Sequence, residues 1–325
     1  MRGFQLIFVL LLLPVFSMAQ YAPRDNWPGS TAIPGDSSLF VDWAKQAQVT
    51  RGFVDIRNPQ AGMVTVGLPE MTAGYPNGEA VSLGDGGMAV LEFEPAIVNG
   101  PGADFAVFEN GFHIKTESDS DFLELAFVEV SSDGFIWVRF AALSDNDTVK
   151  QLRTFDGSRA HKVHNLAGKY VGNYGTPFDL EELKDSLGID VMAIRFVRVI
   201  DVVGSLNDSF ATRDSRGFKI NDPFPTPFPQ GGFDLDAIGV IYNQHSPNGS
   251  EELSAFRPYP NPLKAGQPIH LAEEGTPLNW TIYSLAGKKL VEGKTVSPAF
   301  DLVPGHYFME VNSGGQLKRF SLIIQ

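Results

Sequence analysis

From Val41 to Tyr242 the chain alternates short apolar runs with turn signals. Met88-Ala89-Val90-Leu91-Glu92-Phe93 follows the turn Gly84-Asp85-Gly86-Gly87, and Asp104-Phe105-Ala106-Val107-Phe108-Glu109 ends at Asn110-Gly111. Residues 123–131 turn through Ser132-Asp133-Gly134 into residues 135–140, the clearest hairpin signal in the chain. Residues 191–203 form a long apolar run with Arg195, Arg198 and Asp201 set into it, and residues 233–242 close the unit. Period-two alternation marks strands, because successive side chains point to opposite faces. A helical signal is confined to residues 177–183, with Asp179 or Thr176 near its cap. Strands every dozen or so residues, separated by turn clusters, predict an all-β, jelly-roll-like β-sandwich over residues 41–242.

Residues 243–255 are polar, with Pro247, Asn248 and Gly249, and read as a linker. Residues 256–325 alternate again at Trp280-Thr281-Ile282-Tyr283, Lys289-Leu290-Val291, His306-Tyr307-Phe308-Met309-Glu310-Val311 and residues 318–324. This predicts a second, small immunoglobulin-like β-sandwich. Residues 20–40 are rich in Pro, Gly, Ser and Asn and read as an arm, either loose or ordered on contact. Composition agrees with the pattern. The 25 Phe favour pleated strands, and 33 Gly with 22 Pro supply the turns.

The formal charge of −13 sets the protein against nucleic acid and anionic membrane surfaces as partners. The chain has no cysteine, which removes disulfides, thiol nucleophiles and Cys-based metal sites. At the N-terminus, Arg2 precedes an apolar stretch over residues 4–16, and Ser17-Met18-Ala19 offers small residues for cleavage before Gln20. Residues 1–19 therefore read as a Sec signal peptide. No later segment reaches roughly 18 apolar residues, so no membrane span is expected.

The tail carries Tyr259-Pro260-Asn261-Pro262, then Ile282-Tyr283-Ser284-Leu285-Ala286-Gly287-Lys288, then Leu302-Val303-Pro304-Gly305-His306-Tyr307, with Lys318 and Arg319 near the end. Taken in this order, the landmarks resemble the type A sorting domain of the type IX secretion system. The resemblance implies a partner, the type IX machinery of the Bacteroidota, and a site of action outside the cell. The protein would be secreted or held at the cell surface, after Sec export and outer-membrane translocation.

The body also resembles known proteins. Gly102-Ala103-Asp104-Phe105-Ala106-Val107-Phe108-Glu109-Asn110, Asn165-Leu166-Ala167-Gly168-Lys169-Tyr170, Gly175-Thr176-Pro177-Phe178-Asp179-Leu180 and the run from Gly231 to Val240 are similar to poorly characterised bacterial cell-surface proteins. The hairpin from Val128 to Phe140 and the strand from Ile194 to Asp201 are similar to galactose-binding-like jelly rolls.

Two kinds of chemistry stand out in the residues themselves. Asp104, Glu109, Asn110, Asp201, Asp222, Asp234 and Asp236 flank apolar strands, and Asp234 and Asp236 share one strand face. Calcium takes about six to eight oxygen ligands, so these residues are candidates for a Ca2+ site. The alternative is that they cap turns by accepting from backbone amides. Trp137, Tyr170, Tyr174, Phe178, Phe224 and Phe228 fall near loops or strand ends and are candidates for stacking on a ligand ring. Phe224 and Phe228 lie in a proline-stiffened loop, residues 222–229. His161 and His164 are three apart with no third ligand placed, which argues against zinc.

No Gly-x-Ser-x-Gly elbow, His-Glu-x-x-His or phosphate-binding glycine loop occurs. Glu109 with Glu124 or Glu129 is the available acid pair for glycoside hydrolysis. The expectation is a non-catalytic surface binding protein for an extracellular glycan or small molecule. The alternatives are a carbohydrate-active hydrolase and an accessory to nutrient capture, cobalamin included.

Overall fold

The computed structural model describes residues 21–45, 47–114, 119–246, 260–270, 278–285, 287–295, 298–313 and 316–325. Residues 1–19, read above as a signal peptide, lie outside the described residues, as do most of residues 243–255 and Tyr259.

The body is an all-β sandwich of antiparallel sheets. One sheet is ordered β1 (Ile33–Pro34), β13 (Tyr174–Phe178), β6 (Phe105–Glu109), β15 (Asp234–Val240) and β2 (Asp42–Trp43), with β4 (Val81–Ser82) also paired to β15. The facing sheet is ordered β10 (Val138–Arg139), β9 (Ala126–Ser131), β14 (Ile194–Asp201), β5 (Met88–Ile97) and β3 (Ala47–Thr50). Between them lies one core, with Phe105, Val107, Phe178, Leu235 and Ile238 from the first sheet meeting Leu91, Val128, Val130, Val197 and Val199 from the second.

The two sheets read differently in the sequence for a physical reason. β5 alternates buried and more exposed positions along much of its length, because its outer face meets water, whereas β9 of the same sheet is buried throughout. Every residue of β6 and β15 is buried. Their outer face is covered by a second apolar cluster that includes Ile33 and Leu39 of the arm, Phe108, Ala237, Tyr242 and Phe308 of the tail. The arm is thus laid against the body. Its Ile33 pairs with Gly175, and Thr31 bonds the Tyr170 hydroxyl at 2.8 Å.

The helical signal at residues 177–183 becomes one 3₁₀ turn, Leu180–Leu183, with Asp179 at its cap accepting from the Glu181 amide at 2.9 Å. The hairpin expected around Ser132-Asp133-Gly134 forms, with Val138 opposite Val130 and Arg139 opposite Glu129. Two short pairs complete the body: β7 (Phe112–His113) with β8 (Asp121–Phe122), and β11 (Leu143–Ser144) with β12 (Val163–His164).

The tail forms its own four-stranded antiparallel sheet, ordered β17 (Lys289–Thr295), β16 (Leu278–Ser284), β18 (Gly305–Ser313) and β19 (Gln316–Ile324). Leu263, Ile269, Trp280, Ile282, Phe300, Met309 and Leu322 make its core. Among the described residues, no helix is long and apolar enough to cross a membrane.

Candidate functional site

Four phenylalanine rings run in a row across one end of the body. Phe112 and Phe122 stack at 4.9 Å, as their opposed positions on β7 and β8 require. Phe122 meets Phe155 at 6.1 Å, and Phe155 stacks on Phe228 at 6.0 Å. Phe112, Phe155 and Phe228 are 52%, 68% and 36% exposed, so these rings offer faces that the core does not use. They line a cavity of about 510 Å3 whose polar lining includes Asn110, Glu124, Asp234 and Asp236.

The acidic floor is built by strand ends. Asp234 and Asp236 both reach the cavity, as alternation along β15 dictates. Asp234 Oδ2 accepts from Asn110 Nδ2 at 3.1 Å, and burial pushes its carboxyl up to about 6. Glu109, behind this lining, accepts from the Gly111 amide at 2.8 Å. Burial, reinforced by Asp234, pushes both Glu109 and Glu124 well above the usual carboxylate range. Glu109 Oε1, Asp222 Oδ1 and Asp234 Oδ1 are buried without hydrogen-bond partners. Arg51 is near enough for its charge to act on Asp234, but it donates to the carbonyls of Val66, Ser82 and Gly67.

The other acidic candidates clamp backbone. Asp104 accepts from the amides of Gly100 and Leu180 at 2.6 and 2.7 Å, and burial pushes it up to about 8. Asp201 accepts from Gly86 and Phe233, and Asp236 from Asn77 and Gly78. Asp222 Oδ2 accepts from the Leu125 amide at 3.1 Å. Turn and loop clamping therefore accounts for Asp104, Asp201 and Asp236 in full. Glu109, Asp222 and Asp234 each keep an oxygen unspent.

Of the six aromatic candidates, Phe228 reaches the cavity and the others are engaged elsewhere. Phe178 is in the core against Phe105 and Phe140. Phe224 is buried with Arg57 over its ring, at 4.9 Å. Tyr170 is buried, its hydroxyl held by Thr31. Tyr174 bonds Asn26 at 2.8 Å, and Trp137 carries the Arg198 guanidinium on its face at 4.1 Å. Proximity to a loop in sequence does not distinguish a ring that covers the core from one that faces water.

Phe112, Phe122 and Phe155 were not singled out by the sequence pattern. The available signal was Phe155 itself, an isolated aromatic in the polar stretch 144–162. Also unforeseen is the meeting of Asp25, His113 and Asp121, whose ligand atoms all lie within 4.8 Å of one another. His113 bonds Asp121 at 2.7 Å and approaches Asp25 at 3.2 Å, while Arg24 pairs with Asp121 at 2.7 Å. This group ties the arm to the hairpin that carries Phe112 and Phe122. The six acidic candidates taken from the sequence form no such three-residue group with one another among the described residues. The expected pair of Glu109 with Glu129 is also absent, because Glu129 is engaged by Arg139 and Arg198.

The tail landmarks have definite places. Asn261 donates to the Ser321 carbonyl at 2.7 Å and accepts from the Ile323 amide at 2.9 Å, so it ties the Pro260–Pro262 segment to the last residues of β19. Gly287 has φ +69° in the turn where the Gly287 amide bonds Ser284 and the Ser284 amide bonds Lys288. Gly305 opens β18, and the Tyr307 hydroxyl donates to Val303 at 2.6 Å. Arg319 is paired with Glu310 at 2.5 Å and donates to the carbonyls of Leu39 and Ser38 at 2.9 and 2.7 Å. The Lys318 side chain lies outside the described residues.

No family model and no curated protein matches the chain. Among solved structures it is similar to the β-glucuronidase from Ruminococcus gnavus in complex with D-glucaro 1,5-lactone, at 10% identity and a TM-score of 0.23, over 89% of this chain and 47% of that one. It is also similar to Lactobacillus rhamnosus β-glucuronidase, at 10% identity and a TM-score of 0.22, over 86% of this chain and 44% of that one. The chain thus spans less than half the length of these enzymes. At such TM-scores the overlaps assign neither a ligand nor an activity.

Proposed function

We propose that this is a non-catalytic binding protein that acts outside the cell and holds a glycan or another ring-bearing small molecule in the phenylalanine-lined cavity. The observation that carries the reading is the row of Phe112, Phe122, Phe155 and Phe228 beside Asn110, Glu124 and Asp234. A sugar ring has an apolar face and a rim of hydroxyls. Aromatic rings take the face, and carboxyl and amide groups fix the rim. The surplus of acids favours hydroxyl-rich or cationic ligands over anions. Export by the type IX route is supported by the signal-like N-terminus and by the ordered landmarks of the tail.

Calcium belongs to the same reading. The unspent oxygens of Glu109, Asp222 and Asp234 are the hard donors that calcium prefers. They have to draw together around the ion, and they lose their protons as they do so.

The test is a glycan and small-molecule binding screen on the intact protein, followed by titration of the hits. Phe155→Ala and Phe228→Ala should each weaken binding roughly tenfold, about 1.4 kcal/mol, without a change in melting temperature. Unchanged affinity in both variants overturns the site. A hydrolase is the second reading, favoured by Glu124 on the cavity wall with Glu109 behind it, both pushed well above the usual carboxylate range by burial. Product release by the wild type that Glu124→Gln abolishes would select it.

A further inference from the structure

A second cavity, of about 250 Å3, is lined by His164, Lys169, Tyr170, Thr176, Asp179 and Glu182, with other residues around them. Its unusual member is Lys169, a lysine only 4% exposed. The Lys169 amine donates to the Val163 carbonyl at 2.8 Å and sits 5.5 Å from the Tyr170 ring centre. Burial alone pushes it down to about 7, with no carboxylate acting to hold its charge.

The backbone fixes this placement. Gly168, at φ +78°, packs so tightly that a Cβ there would lie 1.8 Å from the Glu124 carbonyl oxygen. Only glycine fits, and the next residue is thereby directed inward.

An independent observation points to a ligand. Thr176 Oγ1, in the same cavity, is buried with no hydrogen-bond partner. The cavity therefore contains an unengaged hydroxyl and an amine with a single acceptor among the described residues. His164 completes the chemistry. Its imidazole is pushed down by burial and by the Lys169 charge, and Tyr21 stacks on it at 5.2 Å. Asp179 and Glu182 are both pushed up by burial, and Glu182 accepts from Asn165 at 2.6 Å.

We propose that Lys169 is a reactive amine and that this cavity captures small neutral aldehydes or ketones as an imine on Nζ. The neutral amine is the nucleophile. Its lone pair attacks the carbonyl carbon and the C–N bond forms. The two amine protons leave with the carbonyl oxygen as water, and His164 relays them. No electron is gained or lost. The two carboxyl groups on the wall turn away anionic carbonyl compounds, phosphorylated ones included, and the volume limits the ligand to about ten heavy atoms. The proposal stands apart from the phenylalanine-lined cavity and does not depend on it.

The intact protein is treated at neutral pH with propionaldehyde and sodium cyanoborohydride, which traps the imine as a secondary amine, and the adducts are mapped by peptide mass spectrometry. Lys169 should be alkylated at least about tenfold faster than the exposed Lys150 and Lys264, because an ordinary lysine is almost wholly protonated at that pH. Its rate should rise through pH 7, and the advantage should vanish in urea. Lys169→Arg should lose the fast adduct, and Phe228→Ala should keep it. Wild-type mapping decides the matter even where a variant does not fold. No adduct at Lys169, or one no faster than at Lys150, overturns the proposal.

Discussion

Glu129 and Glu109 are strand glutamates on the two opposing sheets, both under 10% exposed. Glu129 sits on β9 directly between Arg139 of β10 and Arg198 of β14. One of its oxygens takes Arg139 Nε at 2.8 Å, and the other takes Arg198 Nε at 2.7 Å. The arginines in turn lie over Phe127 and Trp137. Glu109, on β6, has one amide and one unspent oxygen, with Asp234 and Asp222 for neighbours. The outer face of one sheet thus neutralises its acid from within the chain. The end of the other sheet leaves its acids to be neutralised by something added, whether a proton, a cation or a ligand donor.

The sharpest separation of the two regions is pH. Burial pushes Asp234 up to about 6, against 3.8 ordinarily, and pushes Glu109 and Asp222 well above the usual carboxylate range. A group raised in this way stabilises the fold in full below its unfolded value, and that stability is lost as pH rises through the folded value. The metal-free protein should therefore lose at least about 3 kcal/mol, the share of Asp234 alone, between about pH 4 and pH 8, read by urea melts. Saturating calcium should flatten the slope by taking the place of the protons. A slope that is flat without calcium would erase the distinction.

A smaller effect breaks the other half of the comparison. Glu129→Ala leaves two guanidiniums without their acid and should cost about 2–3 kcal/mol, softened because both arginines are partly exposed. Its loss should not respond to calcium. Smallest of all, Glu109→Gln in the metal-free protein should change stability by no more than about 1 kcal/mol, and in the favourable direction, because it removes a charge that burial opposes. The same variant should abolish any stabilisation by calcium. A cost as large as that of Glu129→Ala would show that Glu109 is structural.

Much of the fold was legible because period-two alternation is local. The β5 run, the hairpin at Ser132-Asp133-Gly134 and the tail strands are recovered where the pattern placed them. The apolar stretches Phe105–Phe108 of β6 and Ala237–Val240 of β15 are buried on both faces, and the arm and tail supply the second cover. The site was less legible, because it is assembled by contacts far apart in sequence. Phe112, Phe155 and Phe228 come from three separate segments, the strand β7 and two loops, and Asp25 reaches His113 across the arm. Nothing local told Phe178, a core ring, from Phe228, a cavity ring. The acids were found, but clamping of Asp104 and Asp236 to distant amides could not be seen without the chain path.

The seat of Arg319 sets the order of events for any factor that reads the tail. Its guanidinium is closed in by Glu310 and by two carbonyl oxygens of the arm. A receptor for that basic end must break these bonds before it can form its own, so recognition and lifting of the tail from the body become a single act. A chain whose arm had not yet settled would offer the arginine freely, and one already settled would resist.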